Sequence, residues 1–327
     1  MDLALIGVLF LVLCAEFVNG WNDAPNAIAT VVSTRVLSFQ SAIFLAVSFD
    51  IIGTMIGTAV ATTIGKGIVD ANVINLSTIA AALISVALWN GGAAYYGIPT
   101  SSSHALVAGL SGAALASAGP DALLWIGWRK VLIGLVCSTI FGFIIGLIIA
   151  KGVRIFFSEN SPIRSKVLFD RLQIISASFM ALNHGLNDGQ KFIGVFTLTL
   201  VLGGFLDNFS IPWWVILTCA FTMGAGTFAG GRKIIQTLGM KLTHMESWQG
   251  FSAETGAGIT ILTASFFGIP LSTTHTISTS IMGVGASKRR TSVKLSVAEK
   301  ILKAWLITFP ACGTIAFIST LIFEKVF

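Results

Sequence analysis

Four short polar motifs interrupt an otherwise apolar chain. Residues 19–26 read NGWNDAPN and residues 183–191 read NHGLNDGQK. Residues 97–104 read GIPTSSSH and residues 268–275 read GIPLSTTH. Asp23 and Asp188, with the amide oxygens of Asn19, Asn22, Asn183 and Asn187, are hard oxygen donors suited to a small hard cation. Each Gly-Ile-Pro turns the chain, and the hydroxyls of Thr100, Ser101, Ser102 and Ser103, or of Ser272, Thr273 and Thr274, cap the helix that follows. A helix N-terminus offers unpaired N–H donors and a partial positive charge, so it binds a tetrahedral oxyanion without needing an arginine. Lys191 stands where Asn26 stands in the other motif, and it either meets an anion directly or only balances Asp188. His184 and Asp188 are four apart and would face one another on a helix. No third ligand lies near them in sequence, so a structural metal site is not expected. Glu16, Glu254, His104 and His275 are further ionisable groups in the apolar stretches. The two acids are candidates for coupling or proton transfer, and the two histidines read first as interhelical hydrogen-bonding groups.

These motifs need elements that hold them inside a membrane. Only 10% of the 327 residues are charged, 54% are hydrophobic, and the mean hydropathy is +0.87. That excludes a soluble globular enzyme, a disordered chain and a secreted disulfide scaffold. Apolar runs near span length, with no alternation, predict helices rather than a barrel, and there is room for about ten such segments. The four cysteines are scattered through apolar stretches with no metal or redox spacing. The start, Met1-Asp2-Leu3, has no basic region and is expected to open the first membrane helix.

Two different motifs recurring in the same order indicate a duplication, reinforced by Gly112 and Gly283 at one distance beyond each His. Residues 1–150 are expected to form the first repeat and 172–327 the second, joined by a basic cytoplasmic linker at 151–171. Each repeat would hold a motif-bearing segment (3–33, 172–202), a plain span (40–63, 212–230), a pair of segments around a tip (75–117, 248–284) and a closing span (125–150, 299–323). Residues 3–33 would make a helix of about 45 Å against a hydrocarbon core of about 30 Å, so this helix is expected to tilt or break, with Gly20 and Pro25 marking the break.

With the N-terminus outside, and each tip-bearing pair returning to its starting side, the inside loops hold Arg35, Lys151, Arg154, Arg164, Lys166, Arg171, Arg232, Lys233, Lys241, Lys288, Arg289, Arg290, Lys294 and Lys300. The outside holds Lys66, Arg129, Lys130 and Lys325. Fourteen against four obeys the positive-inside rule. An odd number of crossings per repeat inverts the second copy. The expected fold class is therefore an all-α polytopic membrane protein of two inverted-topology repeats with broken helices and re-entrant hairpins. Such repeats are a hallmark of secondary transporters, with the binding site where the repeats meet.

The motifs resemble those of the inorganic phosphate transporter family, which includes sodium-dependent type III phosphate symporters. Asn22-Asp23 with Asn26 matches its first signature, and residues 185–191 are similar to the form found in bacterial members. The short linker departs from animal members, which carry a long cytoplasmic loop. The resemblance implies symport of inorganic phosphate with a cation, no cofactor beyond Na⁺ as coupling ion, a multi-pass protein of the cell (inner) membrane, and a homodimer. On this reading Asn19, Asn22, Asp23, Asn183, Asn187 and Asp188 hold Na⁺. Phosphate meets Asn26, Thr100–Ser103, Gln190, Lys191 and Ser272–Thr274. Both termini lie outside. The alternative is a proton-coupled phosphate or sulfate permease of the same family. A passive channel and an intramembrane serine hydrolase, using Ser101/His104 or Ser272/His275, are the rivals from other classes. The absence of a G-x-S-x-G elbow argues against the hydrolase.

Overall fold

The computed structural model describes residues 2–157, 161–288 and 293–326, and it is helical. A chain in hydrocarbon must satisfy its backbone internally, and helices do this within each segment. In order, the helices are α1 (Leu3–Ser33), α2 (Phe39–Thr54), α3 (Ala59–Gly67), α4 (Leu76–Tyr96), α5 (Ser102–Ala118), α6 (Trp125–Phe156), α7 (Pro162–His184), α8 (Gln190–Leu202), α9 (Trp213–Ala229), α10 (Arg232–Ile235), α11 (Ser247–Phe266), α12 (Thr273–Lys288) and α13 (Leu295–Val326). Among the described residues, α1, α4, α6 and α13 are long and apolar enough to cross a membrane. The bent pairs α2/α3 and α9/α10 raise the number to six if each is one span.

The breaks fall elsewhere than expected. α1 is one continuous helix of 31 residues with Pro25 inside it. Gly20 serves contact instead: a Cβ there would lie 2.4 Å from the Met223 carbonyl of α9. Gly231 presses on the Pro25 ring and the Trp21 carbonyl, where a Cβ would come within 3.0 Å of both. In the second half, α7 and α8 are joined through a widened π turn, Gly185–Gly189, carrying the Asn187-Asp188 motif. Such turns occur within helices at functional positions. The sharp bends are 68° between α2 and α3 and 66° between α9 and α10. The expected linker is also largely helical. α6 runs on to Phe156 and α7 begins at Pro162, so Lys151 and Arg154 sit on α6, and Arg164, Lys166 and Arg171 on α7. Arg289 and Arg290 lie outside the described residues.

The packing has an internal correspondence. α1 packs on α9, and α7 on α2. α5 packs on α13, and α12 on α6; α4 packs on α1, and α11 on α7. Each contact in these pairs becomes the other when the halves are exchanged. Gly112 and Gly283 are equivalent even at atomic scale. A Cβ at either would lie 2.2 Å from a carbonyl, that of Gly313 on α13 or of Phe143 on α6. Small residues let helix backbones approach closely where lipid offers no hydrophobic drive between helices.

Two apolar cores result. One gathers Leu5, Val12, Ile64, Leu83, Leu106 and Phe192, and the other Ile28, Ile43, Met180, Ile234, Ile261 and Ile281. α1 contributes its first half to one core and its second half to the other. Its polar residues Glu16, Asn19, Asn22, Asp23 and Asn26 lie between them in sequence, and all five are buried.

Candidate functional site

Each tip is built the same way. Gly97 and Gly268 end α4 and α11 with φ of 72° and 61°, the left-handed region that glycine adopts without a Cβ clash. Ile98 N–H then donates to the Ala93 carbonyl and Ile269 N–H to that of Ala264, both at 2.9 Å. Ser101 Oγ accepts from His104 N–H at 3.3 Å, and Ser272 Oγ from His275 N–H at 3.2 Å, capping α5 and α12. A hydroxyl from α3 and one from the π turn after α10 each fix the opposite tip. Thr63 Oγ1 donates to the Gly268 carbonyl at 2.7 Å, and Thr237 Oγ1 to that of Gly97 at 3.0 Å. Neither threonine carried a signal in the sequence, because its partner is a backbone oxygen far along the chain.

The tips meet the two Asn-Asp motifs. Asn26 Nδ2 donates to Thr273 Oγ1 at 3.2 Å and to Thr274 Oγ1 at 2.9 Å, and Thr274 Oγ1 lies 3.1 Å from Asp23 Oδ1 as donor. Asn22 Nδ2 donates to Asp23 Oδ1 at 3.0 Å and approaches Ser102 Oγ at 3.4 Å. On the other side Thr273 Oγ1 donates to Asp188 Oδ2 at 2.5 Å. Lys191 Nζ donates to Asp188 Oδ1, to Ser103 Oγ and to the Leu271 carbonyl. Ser103 Oγ donates to that same carbonyl at 2.6 Å. Asn187 Nδ2 bonds Ser265 Oγ at 2.8 Å, and its Oδ1 accepts from Leu271 N–H at 3.2 Å. The whole cluster is sealed: Asp23, Asp188 and Lys191 are each 1% exposed.

Several expected residues stand outside this cluster. Gln190 does not face it. Its amide staples the α2/α3 bend, accepting from Val60 N–H at 3.0 Å and donating to the Ile56 carbonyl at 2.8 Å, two groups the bend frees. Asn183 donates to the Phe179 carbonyl one turn back, and Asn19 to Glu16 Oε2 at 3.0 Å. Glu254 accepts from Thr30, Gln173 and Ser176. His104 and His275, expected as hydrogen-bonding groups, instead meet edge to face with centroids 4.6 Å apart, His104 against Phe309 and His275 against Trp305, and neither ring nitrogen of His275 nor Nδ1 of His104 has a hydrogen-bond partner. Ser101 and Ser272 serve as caps, each Oγ accepting from the backbone N–H of the histidine three residues on.

Two further features come only from tertiary contact. Asp23, from the first half, supplies the third group beside His184 and Asp188, all with ligand atoms within 4.8 Å of one another. The expectation that the His184/Asp188 pair has no third partner is thereby overturned. Asp50, which no motif singled out, lies 2.9 Å from His184 Nδ1 and accepts from Thr227 Oγ1 at 2.9 Å. Three carboxylates, a lysine and a histidine thus share one buried interior. Charges in such a place persist only when paired, hydrogen-bonded or joined by incoming ions.

Three oxygens of the motifs are open to a further contact. Asn22 Oδ1, Asn26 Oδ1 and Thr100 Oγ1 are buried without a hydrogen-bond partner. Oxygen donors, two acids and two helix N-termini around one enclosed centre, in a bundle with membrane-length helices, are the marks of a membrane transporter for a small charged solute.

The chain belongs to the Phosphate transporter family, whose profile matches residues 19–316. It is 42% identical to a "Probable low-affinity inorganic phosphate transporter" of Rhizobium meliloti, over 95% of this chain and 94% of that one. A Bacillus subtilis protein of the same description is 41% identical over the full length of both. A solved structure described as "The sodium-dependent phosphate transporter" shares the fold, with TM-score 0.90 over 100% of both chains at 22% identity.

Proposed function

We propose that the protein is a symporter that takes up inorganic phosphate with a cation, Na⁺ being the first candidate. The observation that carries this is the convergence of the α5 and α12 N-termini, with their hydroxyls, on Asp23, Asn26, Asp188 and Lys191. The two helix ends favour an oxyanion. Thr100, Ser102, Ser103, Thr273 and Thr274 supply hydroxyls around it, and Asn26 an amide.

Coupling follows from charge. Phosphate brings one to two negative charges into a centre that already contains Asp23 and Asp188. Helix ends and Lys191 offset only part of this, so cations must enter with the anion. Asp23, Asn22 and the free oxygens nearby are hard ligands fit for Na⁺. The relatives' descriptions support the anion, and that of the fold neighbour supports the cation. The exchange of helix contacts between halves supports two inverted repeats, which move against one another to expose the site to either side in turn. The charge count of the loops supports a cytoplasmic face bearing Lys151 and Lys241, with both termini opposite. A homodimer belongs to the same reading and rests on the family resemblance.

The test is phosphate uptake into proteoliposomes under an imposed Na⁺ gradient or, separately, a pH gradient. Sodium-driven accumulation against a phosphate gradient is expected, lost in Asp23→Asn. Uptake that follows the pH gradient alone would replace Na⁺ by H⁺ in this reading. Equilibration without accumulation would leave a passive channel.

A further inference from the structure

We infer that Lys191 is a built-in cation: its ammonium occupies the position on the Asp188 side that an external cation takes on the Asp23 side, so each transport cycle carries one coupling cation fewer than the duplicated architecture would hold. This rests on the reading of the protein as a cation-coupled phosphate carrier.

The argument begins with the repeat. Aligning residues 20–23 with 185–188 places Asp23 on Asp188 and Asn26 on Lys191. Aligning the tips by their Gly-Ile-Pro places Ser102 and Ser103 on Thr273 and Thr274. The structure honours both alignments. Asn26 Nδ2 reaches the second tip at Thr274 Oγ1, and Lys191 Nζ reaches the first tip at Ser103 Oγ. The two nitrogens are therefore counterparts, one on a neutral amide and one on an ammonium.

Their surroundings differ as this requires. Lys191 Nζ has an all-oxygen shell of a carboxylate, a hydroxyl and a carbonyl, from Asp188, Ser103 and Leu271. Those are the donor types a monovalent hard cation would recruit. Asp188, Asn187, Ser103 and Thr273 all have hydrogen-bond partners. Among the described residues no lysine or arginine lies within 4.0 Å of the Asp23 carboxylate, whereas Asp188 has Lys191; His184 is near both acids, 3.3 Å from Asp188 and within 4.8 Å of Asp23. Within the cluster, Asn22 Oδ1 beside Asp23 and Asn26 Oδ1 one turn on have no hydrogen-bond partner and are 1% exposed; Asn183 Oδ1 of the second motif is unpartnered as well but stands outside the cluster. One half of the centre thus carries a tethered ammonium where the other carries a neutral amide. The alternative role for Lys191, a direct contact to phosphate, leaves this asymmetry without a cause.

The experiment measures the cation-to-phosphate coupling ratio in proteoliposomes by the static-head method, with Na⁺ and with H⁺ as driving ion. The variants are Lys191→Asn, which gives the second half the residue of the first, and the doubly neutralised Asp188→Asn/Lys191→Met. Lys191→Asn is expected to raise the ratio by one for whichever ion drives the wild type. At subsaturating ion, a tenfold dilution would then slow uptake about a hundredfold, against about tenfold where one ion fewer is bound, by mass action. An unchanged ratio with weaker phosphate affinity overturns the proposal and makes Lys191 a substrate contact. If Lys191→Asn does not transport, the double variant decides. It removes the acid together with its tethered cation, so uptake at the wild-type ratio supports the proposal, and a double variant that stays inactive while Lys191→Arg transports overturns it. Failure of the underlying reading looks different: the wild type itself would then show no accumulation with either ion.

Discussion

At the scale of single residues, the centre shows how buried charge is kept. Asp188 survives at 1% exposure because Lys191, Thr273 and His184 surround it. Asp50 shows the same rule at one remove. It holds His184 Nδ1 and the Thr227 hydroxyl, and with them the face His184 turns to Asp188. Replacing Asp50 by Ala leaves two fully buried groups without an acceptor, at a cost of about 1–3 kcal/mol each. The expected result is a lower melting temperature in detergent together with slower phosphate uptake, and Asp50→Glu should restore part of both. Glu254 sits among three neutral donors on α1 and α7. Glu254→Gln keeps its shape and removes its charge. If Glu254 contributes to coupling, uptake is expected to lose sensitivity to the driving gradient while thermal stability changes by less than about 1 kcal/mol, the scale of one exchanged hydrogen bond.

At the scale of elements, the tips depend on the short helices after the bends. Thr63 of α3 and Thr237, in the π turn after α10, each donate to the carbonyl of the glycine that turns the opposite hairpin. Valine at either position keeps the volume and removes the donor, a loss of about 1 kcal/mol that falls on the anchorage of a tip. A raised KM for phosphate, larger in the Thr63→Val/Thr237→Val pair than in either alone, is the expected reading of uptake kinetics. Helix contact at the glycines is less forgiving. A Cβ at Gly283 would lie 2.2 Å from the Phe143 carbonyl, so Gly283→Ala must part α12 from α6. Overpacking of this kind costs about 1–3 kcal/mol and should be visible as a lower yield of monodisperse protein. These same elements show where sequence reading falters. Gly20 and Pro25 are poor helix residues by propensity, yet α1 stays whole because α9 and Gly231 pack against them. The bend that does form, after α2, is held by Gln190 from the other half.

At the scale of the whole molecule, the exchange of contacts between halves sets the polar layer between two apolar cores. The charge distribution then predicts which way the molecule sits. With the four native cysteines replaced, a single cysteine at Lys151 or Lys241 should react with an impermeant thiol reagent only from the cytoplasmic side, and one at Lys66 or Lys130 only from the opposite side. Labelling of both sets from one side would refute the orientation. Enclosure is a property of the assembled whole as well: Thr100, Asn26 and Asp23 are each 1% exposed, although they come from separate segments.

The sequence alone determined the class, and it carries the recurring motifs whose residues the fold brings together. Low charge content, span-length apolar runs and twice-repeated motifs are properties of neighbours along the chain, and burial of Asp23, Asp188 and the Ser/Thr tips follows from their setting in those runs. Tertiary structure decided the rest, because it concerned groups distant in sequence. Asp23 joins His184 and Asp188 across the two halves, Asp50 and the two tip-holding threonines enter without any motif, and Gln190 leaves the anion for a helix bend. A helix breaks or stays straight according to what packs on it, and a buried polar group chooses its partner from whatever the fold brings within about 3 Å.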